Sequence, residues 1–209
     1  MELYKRVITC HGGQVIIVLS PLAVHSSITA GHDHKGFPLI WGNGSGYTFL
    51  AECFSIAAEL MRNEVLYLPA QFKGSNEFLE IFDHWESRLS IVCTNYCETQ
   101  LSPKDIEKVL QVKVYSEQII NRTPVIKTEY MDYWKTHRRI TVKIKNRNMY
   151  ISTNRDGYSS LGWGASGLAE YGDMHYEFHP HQHFDRDDNT SSSVGVTLYH
   201  WNDTGESLS

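Results

Sequence analysis

Residues 37–61, FPLIWGNGSGYTFLAECFSIAAELM, give the clearest indication of the fold class. Phe37–Trp41 is a short apolar run typical of a strand, and Gly42–Gly46 is a glycine-rich segment typical of a turn. From Thr48 onward, apolar residues recur at helical spacing with polar residues between them, which predicts an amphipathic helix. A strand, a turn and a helix in this order indicate a fold that combines a sheet with helices.

The glycine-rich segment has two readings. Backbone N–H groups at the start of a helix can cradle a phosphate, and Gly42–Gly46 leads directly into the predicted helix. The glycine spacing, however, fits neither the dinucleotide-binding fingerprint nor the P-loop pattern. A tight turn before a helix requires glycine in any case, so we interpret the segment as a turn.

Strands and helices alternate through the first 125 residues. Further helices are predicted with Ser75 as N-cap and with Ser102 as N-cap, where Pro103 occupies the first helical position. Val24–Lys35 is polar and carries histidines, and we predict a loop there. Further strands are predicted at Val15–Ser20, Val65–Leu68 and Leu89–Thr94.

The pattern changes after about residue 125. Arg139–Lys145 alternates apolar and polar residues, and Met149–Ser152 reads as its return strand in a hairpin. A Gly- and Ser-rich loop is predicted at Asp156–Gly172, followed by a histidine-rich strand and a last strand at Val194–Trp201. No internal repeat is evident from the residues alone.

These patterns predict an α+β fold. We expect a mixed sheet with about three helices in the N-terminal part and an antiparallel β meander in the C-terminal part. The chain of 209 residues has the length of one domain, spanning residues 1–209, with a sub-lobe boundary near residue 125 as the alternative. Residues 203–209 are expected to be a frayed tail.

Charge is distributed unevenly along the chain. The whole chain has 19 basic and 24 acidic side chains, a formal net charge of −5, which disfavours nucleic acid as a partner. Residues 127–147 carry seven basic and two acidic side chains, whereas residues 148–209 carry two basic and nine acidic ones. These charges could simply be solvated at the surface. Alternatively, they could form a partner-binding surface that carries both positive and negative charge.

The N-terminal segment and the cysteines indicate a cytoplasmic protein. The apolar run Val15–Val24 is broken by Pro21 and is too short to span a bilayer, so no membrane association is expected. The four cysteines, Cys10, Cys53, Cys93 and Cys97, show no CxxC spacing. We expect free thiols in a reducing compartment.

A histidine-rich segment is the main candidate for chemistry. In a strand, its odd-numbered residues lie on one face, and they are His175, Glu177, His179, His181, His183 and Asp185. The i, i+2 spacing of two histidines can chelate zinc or another divalent transition metal. A second H-x-H pair, His32 and His34, could complete such a site. The alternative is an edge strand whose polar face meets solvent.

Charged residues form the candidate partner-binding set. The basic residues are Arg139, Lys143, Lys145 and Arg147, and the acidic residues are Asp185, Asp187 and Asp188. Tyrosine, tryptophan and charged groups in loops suit a specific protein interface. The acidic residues favour a basic partner through electrostatic steering.

The sequence therefore predicts a small cytosolic protein-binding protein. We expect an inhibitor of the immunity type that blocks a partner protein, for example a basic nuclease-like toxin, and that is not itself an enzyme. The alternative is a metal-dependent hydrolase or cupin-like enzyme in which the histidine-rich strand holds zinc or another divalent metal. No catalytic residue is assigned by either prediction.

Overall fold

The computed structural model describes residues 1–10, 12–23, 27–32, 36–70, 87–99, 101–127, 140–170, 181–184 and 195–200. The strands are β1 (Glu2–Thr9), β2 (Val15–Pro21), β3 (Ile28–His32), β4 (Pro38–Gly42), β5 (Glu64–Leu68), β6 (Ser87–Asn95), β7 (Ser116–Asn121), β8 (Thr141–Lys145), β9 (Asn148–Thr153), β10 (His181–Phe184) and β11 (Val196–His200). The helices are α1 (Gly44–Ala58), α2 (Pro103–Leu110) and α3 (Arg155–Ala169). None of these helices has the length and the apolar run that a bilayer crossing requires.

The described strands form one mixed sheet. Its order is β10-β11-β4-β3-β6-β5-β2-β1-β7, while β9 pairs with β6 outside this path and β8 pairs with β9. The pairs β2–β5, β4–β11 and β6–β9 are parallel, and the other pairs are antiparallel. The predicted α+β class and the mixed sheet are confirmed.

The core is divided between the two faces of the sheet because side chains alternate along each strand. α1 and α3 pack together over one face, the inner face, where Leu66 and Ile151 are buried beneath them. α2 packs on the opposite, outer face against neighbouring residues of the same strands, such as Val65, Val92 and Tyr150.

Helix α1 begins earlier than its apolar pattern predicts. It starts at Gly44 rather than near Thr48, because the Asn43 side chain accepts a hydrogen bond from the Gly46 N–H and caps the helix. A Cβ at Gly46 would crowd the carbonyl oxygen of Ser27, so packing requires glycine there. Helix α2 begins at Pro103 with Ser102 as its cap, as predicted. The helix predicted from Ser75 lies outside the described residues.

The predicted loop at Asp156–Gly172 is wrong, because most of that segment forms α3. Asn154 caps the helix and accepts a hydrogen bond from the Gly157 N–H. The glycines that suggested a loop allow close packing: a Cβ at Gly162 would stand 3.4 Å from the Ala51 carbonyl oxygen of α1. Tertiary packing thus overrides the low helix propensity of glycine.

The predicted C-terminal meander is also wrong. β8 and β9 do form the expected hairpin, but β9 then pairs in parallel with β6, and β11 pairs in parallel with β4. The helices are spread along the chain instead of being confined to its first part. β3 lies within the predicted loop Val24–Lys35, and the sequence patterns missed β1 and β7.

The structure contains an internal repeat that the sequence analysis missed. Repeat 1 consists of β3, β4, α1, β5 and β6, and repeat 2 consists of β8, β9, α3, β10 and β11. In each repeat an antiparallel hairpin leads into a 15-residue helix, and a second antiparallel strand pair follows. Both helices begin directly after an asparagine cap.

The structural repeat is accompanied by sequence similarity between the two repeats. Residues 40–59 align with residues 151–170 at a spacing of 111 positions, from the second strand of each hairpin to the end of its helix. Identical residues occupy eight of these twenty pairs: Ile40 and Ile151, Asn43 and Asn154, Gly46 and Gly157, Tyr47 and Tyr158, Leu50 and Leu161, Ser55 and Ser166, Ala58 and Ala169, and Glu59 and Glu170.

The two repeats interlock by exchanging their last strands. β6 of repeat 1 pairs in parallel with β9 of repeat 2, and β11 of repeat 2 pairs in parallel with β4 of repeat 1. The registers are equivalent, since Cys93 lies opposite Ile151 and Leu198 lies opposite Ile40. These pairs join residues on both sides of position 125.

A tyrosine in the first turn of each repeat helix ties the parallel strands together. Its hydroxyl lies within hydrogen-bond distance of the carbonyl oxygen seven residues earlier and of a carbonyl oxygen in the exchanged strand. The pairs are Tyr47 with Ile40 at 2.9 Å and Tyr199 at 2.6 Å, and Tyr158 with Ile151 at 2.7 Å and Thr94 at 3.0 Å.

Candidate functional site

The repeat gives the sheet two equivalent outer surfaces. The α2 face consists of the outward side chains of β5, β6, β8 and β9, and the histidine face consists of those of β10, β11 and β4. α2 follows repeat 1 in the chain and covers one end of the α2 face through Ile106 and Val109. The two faces therefore differ in their side chains although their backbones correspond.

Glu107 of α2 organises the polar part of the α2 face. Its side chain is only 13% exposed. It accepts hydrogen bonds from the Tyr150 hydroxyl at 3.4 Å and from Asn146 Nδ2 at 3.0 Å, and it forms an ion pair with Lys145 at 3.4 Å. Asn148 Nδ2 donates to the Tyr150 hydroxyl at 3.4 Å. This network holds the tip of the β8–β9 hairpin against α2.

The Tyr150 phenol is a hydrogen-bond donor at neutral pH. Burial and the neighbouring Glu107 carboxylate raise the pKa of Tyr150 to about 12, because both disfavour a phenolate. Its proton is therefore retained and points to the carboxylate. Tyr150 thus links the β8–β9 hairpin to Glu107 of α2.

The β8–β9 hairpin presents the predicted basic residues. Lys143 lies opposite Tyr150 in the strand pair and is exposed, and among the described residues it has no ion-pair partner. Lys145 is engaged by Glu107, as described above. Arg147 lies in the hairpin turn with φ 63°, next to Asn146 with φ 48°, which is the left-handed geometry of a type I′ turn. The structure thus brings three predicted residues together.

A second tyrosine extends the same surface. The Tyr67 hydroxyl lies 3.3 Å from Ser90 Oγ, and Ser90 Oγ also accepts a hydrogen bond from the Ala70 N–H at 3.2 Å. Tyr67 lies opposite Val92 in the β5–β6 pair, so it shares the outer face with Tyr150. The sequence analysis missed Tyr67, Tyr150 and Glu107. Tyr150 could have been predicted, because side chains alternate along Met149–Ser152 and Tyr150 falls on the same side of the hairpin as the lysines.

His181 and His183 lie on the exposed side of β10, an edge strand of the described sheet. Their ring centroids are 4.9 Å apart, with the rings nearly perpendicular. The His181 ring stacks on Tyr199 at 5.1 Å, and His183 Nδ1 lies 2.9 Å from Thr197 Oγ1. Both imidazoles are therefore held in place by residues of β11.

The other predicted metal ligands are not brought to this pair. His32 is three strands from β10, about 14 Å at the usual strand spacing, and its place in the register puts it on the inner side of the sheet. Within the described ranges, no group of three or more His, Cys, Asp or Glu residues could hold a metal ion. The predicted residues outside those ranges are His34, His175, Glu177, His179, Arg139, Asp185, Asp187 and Asp188.

Two of the four cysteines, Cys53 and Cys93, are buried in the inner core. All four are free thiols. Burial raises the pKa of the Cys93 thiol to about 12 and raises that of Cys53 well above its usual value. Both thiols therefore stay protonated at neutral pH and act as small apolar residues in the inner core.

Comparison of the chain with protein-family models, with curated proteins and with solved structures found no match in any of the three.

Proposed function

We propose that the chain is a protein-binding protein that docks a partner on its α2 face and blocks it. The observation that carries the proposal is the grouping of Lys143, Lys145 and Arg147 on a hairpin held rigid by Glu107 and Tyr150. A hairpin that is already held in place by contacts with α2 loses less conformational entropy on association, and this favours tight binding.

The composition of the face supports an interface. Tyrosine and arginine are enriched among the residues that dominate binding energy, and Tyr67 lies half-buried on the same surface as Lys143. Long side chains with aliphatic stems cover apolar area while their charges remain in water. The Lys143 ammonium is uncompensated in the described surface, so it is available for a carboxylate of the partner.

A more specific proposal is an inhibitor of the immunity type. This proposal requires a partner with a basic surface, whereas the hairpin favours one with an acidic surface. A basic nuclease-like toxin would be attracted by the acidic residues Asp185, Asp187 and Asp188, which lie outside the described ranges. The described hairpin would instead attract an acidic surface. The position of crosslinks to the partner distinguishes these two versions.

A photo-crosslinking amino acid placed at position 141, on the same side of β8 as Lys143, tests the proposal in the native host. We expect one major protein adduct, which is lost when Lys143→Glu and Arg147→Glu are added because the charge of the surface is inverted. Position 61, where Met61 is 60% exposed outside the α2 face, is the control and should give no adduct. Equal adducts from both positions would contradict the proposal. An adduct from position 187 alone would favour a basic toxin as the partner and would exclude the α2 face as the binding surface.

A metal-dependent hydrolase or cupin-like enzyme is the second candidate. The observation that favours it is the pairing of His181 and His183 on one exposed face. Zinc- or manganese-loaded protein should then hydrolyse an ester or phosphoester substrate, and the double variant His181→Ala/His183→Ala should lose this activity. Activity that persists in the double variant would remove this candidate.

A further inference from the structure

We propose that His181 and His183 form a binding site for one divalent transition-metal ion of the zinc, nickel or copper class on the histidine face. The site does not depend on the protein-binding function proposed above. Nitrogen ligands from imidazole suit these metals, and a two-histidine site leaves the remaining coordination positions to water.

The spacing of the two imidazoles fits chelation. Residues i and i+2 of a strand project to the same side, and the two ring centroids are only 4.9 Å apart. At that separation, nitrogen atoms of both rings can reach a common ion at the usual metal–nitrogen distance of about 2.0–2.1 Å after small side-chain rotations. Both side chains are exposed in the described structure, so water can occupy the outer side of such an ion.

The contact with Thr197 prepares His183 for this role. His183 Nδ1 lies 2.9 Å from Thr197 Oγ1, and donation of the Nδ1 proton to this hydroxyl leaves the Nε2 lone pair available. Histidines that bind metals usually donate their other ring N–H to an oxygen, which fixes the tautomer and the ring orientation. The stacking of His181 on Tyr199 restricts the second ring in a similar way.

The repeat shows that the fold does not require histidine at these positions. Through the strand registers, His181 and His183 correspond to Val65 and Tyr67 of repeat 1. Val65 is fully buried under α2, and Tyr67 lies partly exposed beside the α2 core. The same backbone thus accommodates apolar and aromatic side chains, so packing alone does not explain two histidines in repeat 2.

Titration of untagged protein with Ni²⁺ or Zn²⁺ by calorimetry tests the site. We expect one equivalent to bind, with at least a tenfold loss of affinity in His181→Ala and in His183→Ala. Thr197→Val should weaken binding about tenfold while both ligands remain, because the orienting hydroxyl is lost. His32→Ala, a histidine on another strand, is the matched control and should bind as the unmodified protein does.

Electron paramagnetic resonance of the Cu²⁺-loaded protein provides a second readout. Two coordinated nitrogens are expected in the unmodified protein, and one in either single variant. Unfolding midpoints of all variants without metal show whether the substitutions preserve the fold. Unchanged affinity in His183→Ala, or an equal loss in His32→Ala, would overturn the proposal and leave the pair as the polar surface of an edge strand.

Discussion

Repeats 1 and 2 share a backbone plan but fill their inner cores with different pairs of side chains. At one equivalent position α1 has Cys53 where α3 has Gly164, and the facing strands have Leu68 and Phe184. A Cβ at Gly164 would collide with the Phe184 ring. The larger ring in repeat 2 is thus accommodated by the smaller helix residue. At this position a larger strand residue is compensated by a smaller helix residue, whereas Leu50 and Leu161 are identical at another buried position of the inner core.

The outer surfaces differ more than the inner core. The segment after repeat 1 contains α2, whose Ile106 and Val109 cover Val65 on the outer face. The corresponding surface of repeat 2 presents His181 and His183 to solvent. The binding features that we propose therefore lie where the repeats diverge, while the residues common to both repeats cap and pack the helices.

The largest effect is expected from the leucines that occupy equivalent positions in the two helices. Leu50 and Leu161 are both fully buried in the inner core. Leu50→Ala and Leu161→Ala should each lower the free energy of unfolding by about 3 kcal/mol, because each leaves a cavity. Urea denaturation measures both losses. A difference of more than about 2 kcal/mol between the two would show that the repeats are not energetically equivalent.

The pairing of Gly164 with Phe184 should give the next largest effect. Gly164→Ala should cost about 2 kcal/mol, because the added methyl group collides with the Phe184 ring as well as with the flexible end of the Gln182 side chain. Adding Phe184→Leu, the side chain of repeat 1, should restore part of the loss, measured as a double-mutant cycle. Gly167→Ala is the control: its Cβ would meet only Gln182 Nε2 at 3.9 Å, so no loss is expected. Simple additivity would refute the pairing.

The bridging tyrosines rank third. Tyr47→Phe and Tyr158→Phe should each cost about 1.5 kcal/mol, because each removes a hydroxyl whose one proton is shared between two strand carbonyl oxygens. Thermal unfolding monitored by circular dichroism compares the two. A neutral effect of either substitution would show that the hydroxyl does not join the exchanged strands in that repeat.

The same tyrosines predict an alkaline transition. Burial raises the pKa of Tyr47 and of Tyr158 well above the usual value, so the folded state holds these protons more tightly than the unfolded state does. Their contribution to stability is complete below about pH 10 and is lost as the pH rises further. Stability measured from pH 8 to pH 12 should therefore fall less steeply in either phenylalanine variant. An identical slope would contradict this origin.

The smallest effect is expected at the helix caps. Asn43→Ala and Asn154→Ala should each cost about 1 kcal/mol, because the N–H groups of Gly46 and Gly157 lose their side-chain acceptor. Asn43→Asp and Asn154→Asp retain the acceptor and should be nearly neutral. Urea midpoints are sufficient to rank the four variants. A loss in the aspartate variants equal to that in the alanine variants would point to a role other than capping.

Local patterns predicted elements that depend on their own residues. The strand Val65–Leu68, the hairpin before residue 153 and the capped helix after Ser102 were predicted because alternation, turn residues and caps act over a few positions. α3 was missed because glycine has low helix propensity, although the Asn-x-x-Gly-Tyr pattern at 154–158 repeats that at 43–47. Comparing these two segments would have predicted α3 and the repeat.

The candidate site was predictable only in part. Strand alternation predicts that His181 and His183 share one face of their strand. The hairpin pattern predicts that Lys143 and Lys145 share one face of theirs. Glu107 was not predictable as the partner of Tyr150, because α2 meets the hairpin 43 residues away in the chain. The separation of His32 from the histidine pair likewise depends on the strand order.

The positions of most helices and strands follow from local sequence, since side-chain period and capping act over short distances. The sequence also contained the two asparagine caps and the two bridging tyrosines. The exchange of β6 and β11 between the repeats is not readable from local sequence. A parallel pair joins strands that are distant in the chain, so it depends on which buried surfaces fit together across the whole fold. The same long-range choice left one outer face to α2 and the other to the histidines.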